Sequence, residues 1–75
     1  MTSVKRTPAE LGTCDGAAYA MRKLRSQGHV SLLTIARESG NGFHKRLERG
    51  YLTIPDVVEY AQAFQSEAVR VLTGE

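Results

Sequence analysis

The chain has 75 residues, which corresponds to one small domain, and its hydrophobic (41%) and charged (24%) fractions are those of an ordinary globular protein. No apolar run could span a bilayer and no signal-peptide pattern is present, so a cytoplasmic location without membrane contact is expected. The net charge is only +2, but residues 1–50 hold nine Lys or Arg and four Asp or Glu, whereas residues 51–75 hold one and four. Such a division is expected when one side of a protein meets phosphate, although chance also produces it in short chains.

Residues 1–12 are predicted to form a basic N-terminal arm with a short helical turn. Thr7, Pro8 and Glu10 have the form of a capping box with proline at the first helical position, and Gly12 is expected to end the turn. The remaining residues, 13–75, are expected to form the domain proper.

The first long helix is predicted to run from a cap at Thr13 or Asp15 to about Gln27, with Gly28 ending it. Apolar residues recur along it at three- and four-residue steps and predict its buried stripe. The stripe consists of Ala17, Ala18, Met21 and Leu24.

The segment of about residues 31–50 has the pattern of two short helices around a turn. Ser31 can cap a helix from Leu32 to Ser39, and Asn41-Gly42 is a strong turn signal. A basic helix is then predicted over residues 42–49. A β-hairpin at the turn is rejected because neither flank alternates with a period of two. The pattern is typical of a helix-turn-helix DNA reader.

Two more helices are predicted in the last third of the chain. Gly50 is expected to end the basic helix, and a fourth helix is expected to start at Pro55. Its apolar face would contain Val57, Val58, Ala61 and Phe64. Ser66 can cap a fifth, short helix that runs from Glu67 to Leu72.

The order of these segments resembles the lambda-repressor-like (Cro/C1-type, XRE family) helix-turn-helix proteins, which include small phage and plasmid regulators. The resemblance is carried by Leu24-Arg25, Val30-Ser31, Ile35-Ala36, Ser39-Gly40, the box Leu47-Glu48-Arg49-Gly50, and Pro55 with Val58, Tyr60-Ala61 and Ala63-Phe64. The segment between the turn and the box is shorter than is usual in the family. The resemblance implies an all-α fold of five helices, to which this chain adds the N-terminal helical turn.

The resemblance also implies that the basic helix and its surroundings contact DNA. Base edges are read by side chains with paired donors or acceptors, and phosphates are held by cations. The predicted DNA-binding residues are Thr34, Asn41, Phe43, His44, Lys45, Arg46, Arg49 and Tyr51. Arg22 or Lys23 is a further candidate for a phosphate contact. The alternative for Phe43 is a core position paired with Leu47, and the alternative for Lys45 and Arg46 is a solvated helix face.

A structural ion pair is predicted between Arg25 and Glu48. In similar repressor domains an Arg and a Glu at these positions form a partly buried salt bridge, and a buried charge without its partner is costly. Glu48 is therefore expected to hold the basic helix in place rather than to bind a ligand.

The function implied by the resemblance is transcription regulation, most often repression, by a homodimer that binds a palindromic operator in double-stranded DNA through the 42–49 helix. The expected dimer contacts are the C-terminal apolar residues Val57, Val69, Val71 and Leu72. One alternative is an antitoxin or accessory module whose main partner is a protein. Another is a protein of the same fold that binds DNA without sequence specificity.

Catalysis is not expected. The sequence contains no nucleophile elbow, Gly-rich phosphate loop or paired-carboxylate site, and Cys14, His29 and His44 do not have the spacing of zinc ligands. No cofactor and no metal are predicted. The single Cys14 can form no internal disulfide, which agrees with a reducing compartment.

Overall fold

The computed structural model describes residues 6–26 and 30–74, which form three α-helices and contain no strand. Helix α1 spans Pro8–Ser26, α2 spans Leu32–Glu48 and α3 spans Val57–Thr73, and a 3-10 turn at Ile54–Asp56 leads into α3. The all-α prediction is confirmed, but the predicted count of five helices is wrong. The residues that precede Arg6 in the predicted arm, and the predicted stop at Gly28, lie outside the described residues.

Helix α1 begins at the predicted capping box but does not end at Gly12. The backbone N–H of Glu10 donates to Thr7 Oγ1 (3.1 Å), and the Thr7 N–H donates to Glu10 Oε1 (2.8 Å). The helix then continues through Gly12 without interruption, so the predicted boundary between residues 12 and 13 falls inside one helix. The reason is tertiary, because Gly12 is buried against α3 and this packing offsets the low helix propensity of glycine.

Helices α1 and α3 run parallel and touch along a seam formed by Gly12 and Gly16 of α1 with Tyr60 and Phe64 of α3, here called the glycine seam. A Cβ on Gly16 would lie 3.0 Å from the Phe64 Cα and closer still to its carbonyl oxygen, and a Cβ on Gly12 would meet the Tyr60 carbonyl in the same way. Only residues without a Cβ allow the two backbones to approach this closely. The seam therefore makes α3, rather than α2, the main packing partner of α1.

The buried stripe of α1 differs from the predicted one. The buried side chains are Leu11, Tyr19 and Ala20, whereas Met21 and Leu24 are exposed at 52% and 45%. Apolar spacing misidentified the face because the two seam glycines add nothing to hydrophobic periodicity, although they mark the side of α1 that touches α3.

Helix α2 is continuous where the helix-turn-helix was predicted to bend, so that motif does not form. Ser39 is buried, and its Oγ donates to the Ala36 carbonyl (2.7 Å) and accepts from Gln65 Nε2 of α3 (3.2 Å). Gly42 lies against the Tyr60 hydroxyl, where a Cβ would collide with it. Contacts with α3 thus hold this segment helical, although each glycine costs about 1 kcal/mol relative to alanine.

The end signals of α2 and the start of α3 are local. Ser31 caps α2 by accepting from the Thr34 N–H (3.2 Å), as predicted, and Gly50 ends it with a φ of 81°. Thr53 and Asp56 form a capping box before α3, in which the Asp56 carboxylate accepts from the Thr53 N–H (2.8 Å).

Helix α3 includes Ser66, so the predicted separate fifth helix is wrong. Tyr60, Phe64 and Ala68 are buried at four-residue steps and form one uninterrupted stripe across that position. Since the burial continues past Ser66 and no helix breaker intervenes, the helix continues as well.

The centre of the core is aromatic. The ring centroid of Tyr60 lies 5.8 Å from that of Phe43 and 6.1 Å from that of Phe64. The ring centroids of Tyr19 and Phe64 are 5.8 Å apart. These rings join all three helices. Within the part of the chain that the structure describes, no helix is both long and apolar enough to cross a membrane.

Candidate nucleic-acid interface

A groove of about 230 Å³ lies between α1 and α2, which run antiparallel. Four cationic side chains and two carboxylates are among the residues that line it. They are Arg22, Lys45, Arg46, Arg49, Asp15 and Glu38.

One of the four cations, Arg46, is paired with a carboxylate. The Arg46 guanidinium makes two hydrogen bonds to Asp15, Nε to Oδ2 (3.0 Å) and Nη2 to Oδ1 (2.7 Å), and the Tyr60 hydroxyl donates to Asp15 Oδ2 (2.7 Å). Asp15, Arg46 and Tyr60 belong to different helices, and we call them the Asp15 clasp. Both members of the ion pair are partly buried, with side chains 26% (Arg46) and 22% (Asp15) exposed.

The clasp fixes the ionisation of its members. Burial alone would raise the pKa of Asp15, but the hydrogen bonds from Arg46 and Tyr60, together with the Arg46 charge, outweigh burial and lower that pKa. The pKa of Tyr60 is raised, first by burial and then by its hydrogen bond to the Asp15 carboxylate. The carboxylate is therefore charged, and the phenol is a hydrogen-bond donor, throughout the physiological range.

Arg46, which is predicted to contact DNA, uses the Nε and Nη2 edge of its guanidinium in the clasp. The exposed Tyr51 ring, predicted to touch the DNA backbone, lies 5.6 Å from the Arg46 guanidinium carbon in a cation–π contact. Tyr51 thus helps to hold Arg46.

The other three cations of the groove, Arg22, Lys45 and Arg49, form no ion pair with a carboxylate among residues 6–26 and 30–74. Lys45 and Arg49 are four residues apart on α2 and so lie on one face, while Arg22 approaches from α1. These three exposed side chains, here called the basic triad, bring concentrated positive charge to one side of the molecule.

Two further predicted residues, Asn41 and Thr34, lie on the same side of α2. Asn41 lines the groove, and its Nδ2 donates to Glu38 Oε2 (3.3 Å). The Thr34 hydroxyl is within 2.9 Å of Ser31 Oγ and belongs to the helix cap. Asn41 therefore adjoins the basic triad, whereas Thr34 has a local structural role.

Phe43 and His44 are not part of the groove. Phe43 is buried at 9% exposure and packs on Tyr60, which confirms the core alternative and excludes a contact with a base. His44 is exposed, with its Nε2 3.4 Å from Glu48 Oε2 one helical turn further on.

The predicted pair of Arg25 and Glu48 is not formed. Glu48 faces His44, and Arg25 is exposed in the last turn of α1. The two helices are antiparallel, so the end of α1 lies beside the start of α2 and far from its end. The charge pair that does join these helices is Asp15 with Arg46.

Sequence reasoning missed the structural importance of Asp15, Tyr19 and Tyr60. The sequence predicts Thr13 or Asp15 as a helix cap, whereas Asp15 lies inside α1 and its partner Arg46 is 31 residues away. Asp15, Tyr19 and Arg22 are spaced four and three residues apart, which places them on one face of α1. That spacing was the available signal, but it does not identify what the face meets.

The residues predicted to form a dimer interface are mostly engaged within the chain. Val69, Val71 and Leu72 are partly buried and pack against the core, while Val57 is 39% exposed. The more exposed apolar side chains are Leu32, Leu33 and Ile54, each at 72%.

Comparison of the chain with protein-family models, with curated proteins and with solved structures found no match. The family resemblance therefore stays a prediction.

Proposed function

We propose that this protein binds double-stranded DNA through the side of the molecule where α1 and α2 meet. The observation that carries the proposal is the basic triad, because Arg22, Lys45 and Arg49 line one groove and form no ion pair in the described residues. DNA carries about one negative charge per 1.7 Å of helix axis, so closely spaced cations gain affinity by releasing counterions.

The distribution of charge supports the same orientation. Nine of the ten Lys and Arg residues precede residue 51, while half of the acidic residues follow it. The acidic Asp56, Glu59 and Glu67 belong to the 3-10 turn and α3. DNA would approach from the α1–α2 side, and the α3 side would face away.

DNA is still the proposed partner, but the predicted helix-turn-helix is not the element that contacts it, because that motif does not form. The cations of the groove suit phosphate contacts, which set position without reading sequence. We further propose that the protein binds an operator as a homodimeric repressor in the cytoplasm. Sequence specificity would come from exposed residues of α2 such as Asn41.

A second candidate is a protein-interaction role. Leu32 and Leu33 stand next to each other in the first turn of α2, and each is 72% exposed. Contiguous exposed apolar surface marks sites of protein–protein contact.

The test is fluorescence anisotropy with labelled duplex DNA from the region upstream of the protein's own coding sequence, beside an unrelated duplex of equal length. We would compare wild type with Lys45→Gln and Arg49→Gln, and with Arg37→Gln as a control that removes the same charge from α2 outside the groove. Each groove substitution is expected to lower the slope of log K against log salt by about 1. The control should change the slope less.

Preference for the upstream duplex would support a specific regulator, and equal binding to both would support phosphate binding alone. No binding to either duplex at low salt would overturn the proposal and favour a protein partner. Equal effects of the groove and control substitutions would refute this face as the interface.

A further inference from the structure

The Tyr19 hydroxyl is a buried polar group that the fold leaves unused. The side chain is 2% exposed, and its hydroxyl has no hydrogen-bond partner in the described part of the chain. Most buried hydroxyls are paired, because burial without a partner costs the whole desolvation energy. By contrast, the hydroxyl of the equally buried Tyr60 donates to Asp15.

Tyr19 belongs to the wall of the groove between α1 and α2. Tyr19 lines that groove together with Arg22 and Glu38. The pKa of Tyr19 is raised by burial first and by the Glu38 charge second, and it is lowered by the Arg22 charge. These two charged side chains line the same groove as Tyr19.

The groove thus combines a hydroxyl that lacks an acceptor with the three cations of the basic triad, which lack anions. Besides Asp15 of the clasp, the groove contains one more carboxylate, that of Glu38. It accepts a hydrogen bond from Asn41 Nδ2 (3.3 Å). An oxyanion with several acceptor oxygens would satisfy both needs, and phosphate is the one that Arg and Lys commonly bind.

We propose that the α1–α2 groove is a seat for one phosphate group, bound by Arg22, Lys45 and Arg49 and accepting a hydrogen bond from the Tyr19 hydroxyl. The phosphate belongs either to the DNA backbone, in which case the seat rests on the proposed function, or to a free phosphorylated small molecule. The hydroxyl is covered in the structure, so neighbouring side chains must move aside as the anion enters.

The test is a titration of ¹⁵N-labelled protein with inorganic phosphate, followed by NMR, against sodium chloride at the same ionic strength and pH. Wild type is compared with Tyr19→Phe, which keeps the ring contact with Phe64 and removes only the hydroxyl. Arg37→Gln serves as the charge control and Lys45→Gln as a second groove variant. Circular dichroism checks that each variant is folded.

We expect saturable shifts of groove amides with phosphate and none with chloride. Tyr19→Phe should weaken phosphate binding about tenfold, since a hydrogen bond to a charged acceptor is lost. Lys45→Gln should weaken it as well, and Arg37→Gln should not. Shifts that do not saturate, or a Tyr19→Phe or Lys45→Gln variant that binds phosphate like wild type, would overturn the seat.

The same variants in the DNA assay identify the source of the phosphate. If phosphate competes with DNA and Tyr19→Phe weakens both, the seat holds a backbone phosphate. If phosphate binds but DNA does not, the proposed function fails while the seat stands as a site for a small phosphorylated ligand. If DNA binds but phosphate neither binds nor competes, the seat is refuted and DNA binding stands.

Discussion

Helix α1 is held on its two sides by different means. Toward α3 it meets backbone with backbone, because Gly12 and Gly16 allow the carbonyls of Tyr60 and Phe64 to come close. Toward α2 it meets a partly open groove whose walls are charged and whose main link is the ion pair of Asp15 with Arg46. The α1–α3 contact has no space for an added Cβ, while the α1–α2 groove is open and lined by charged side chains. Close backbone packing thus lies on one side of α1, and an open, charged groove on the other.

The sharpest way to break the glycine seam is Gly16→Ala. The new Cβ would collide with the Phe64 backbone, which cannot move without shifting α3. Overpacking of this kind costs about 3 kcal/mol, and urea unfolding followed by circular dichroism would measure the loss. Wild-type stability in this variant would show that the two helices are not in backbone contact.

Breaking the Asp15 clasp is expected to cost less. Asp15→Asn leaves the Arg46 guanidinium without its anion, but the site is partly open to solvent, so we expect a loss of about 2 kcal/mol. The loss should depend on pH. Because the pKa of Asp15 is lowered in the folded state, its contribution is present above the ordinary value of 3.8 and disappears as pH falls through the lower folded value.

Wild type and Asp15→Asn should therefore differ in unfolding free energy at neutral pH and converge in acid. Urea titrations of both proteins at a series of pH values would measure this. A difference that stays constant down to strongly acidic pH would mean that the carboxylate charge contributes nothing.

A double substitution sharpens the contrast at Gly42, which touches a side chain instead of backbone. Gly42→Ala should destabilise by about 1 kcal/mol, because its Cβ would displace the Tyr60 hydroxyl from Asp15. In a Tyr60→Phe background the Cβ would meet the ring carbon at 3.5 Å, an ordinary contact, so the same change should become stabilising. A double-mutant cycle by thermal unfolding measures this coupling, and additive effects would contradict it.

The smallest change in unfolding free energy is expected at Gly40, where an added methyl group should stabilise the protein. A Cβ there would meet nothing within 4 Å, and the residue is helical and exposed. Gly40→Ala should stabilise by about 0.5–1 kcal/mol through helix propensity alone, raising the thermal midpoint by a few degrees. Destabilisation would instead show that α2 needs a break at this point.

What the sequence could predict was local. The capping box at Thr7, the cap at Ser31 and the stop at Gly50 depend on a few adjacent residues and were found correctly. The break at Ser39–Gly42 was wrong because contacts with Gln65 and Tyr60, distant in sequence, outweigh local turn preference. In such cases tertiary packing decides.

The candidate site divides in the same way. Lys45 and Arg49 could be selected from charge and spacing along one helix. The packing of α1 against α2 decides two further features, which the sequence alone does not show. Arg46 pairs with Asp15, and Tyr19 lines the same groove. Sequence pattern identified the basic cluster but could not separate its structural member from the others.

The parallel pairing of α1 with α3 also has a consequence for how the chain folds. The main contacts of the first helix are with the last one, so the chain has a high contact order for a helical protein of this size, and loop-closure entropy opposes the decisive contact. During synthesis α1 has no backbone to meet until residues beyond Val57 have emerged from the ribosome. The fold is therefore completed from its C-terminal end, and chains truncated before α3 would expose an unprotected α1 to degradation.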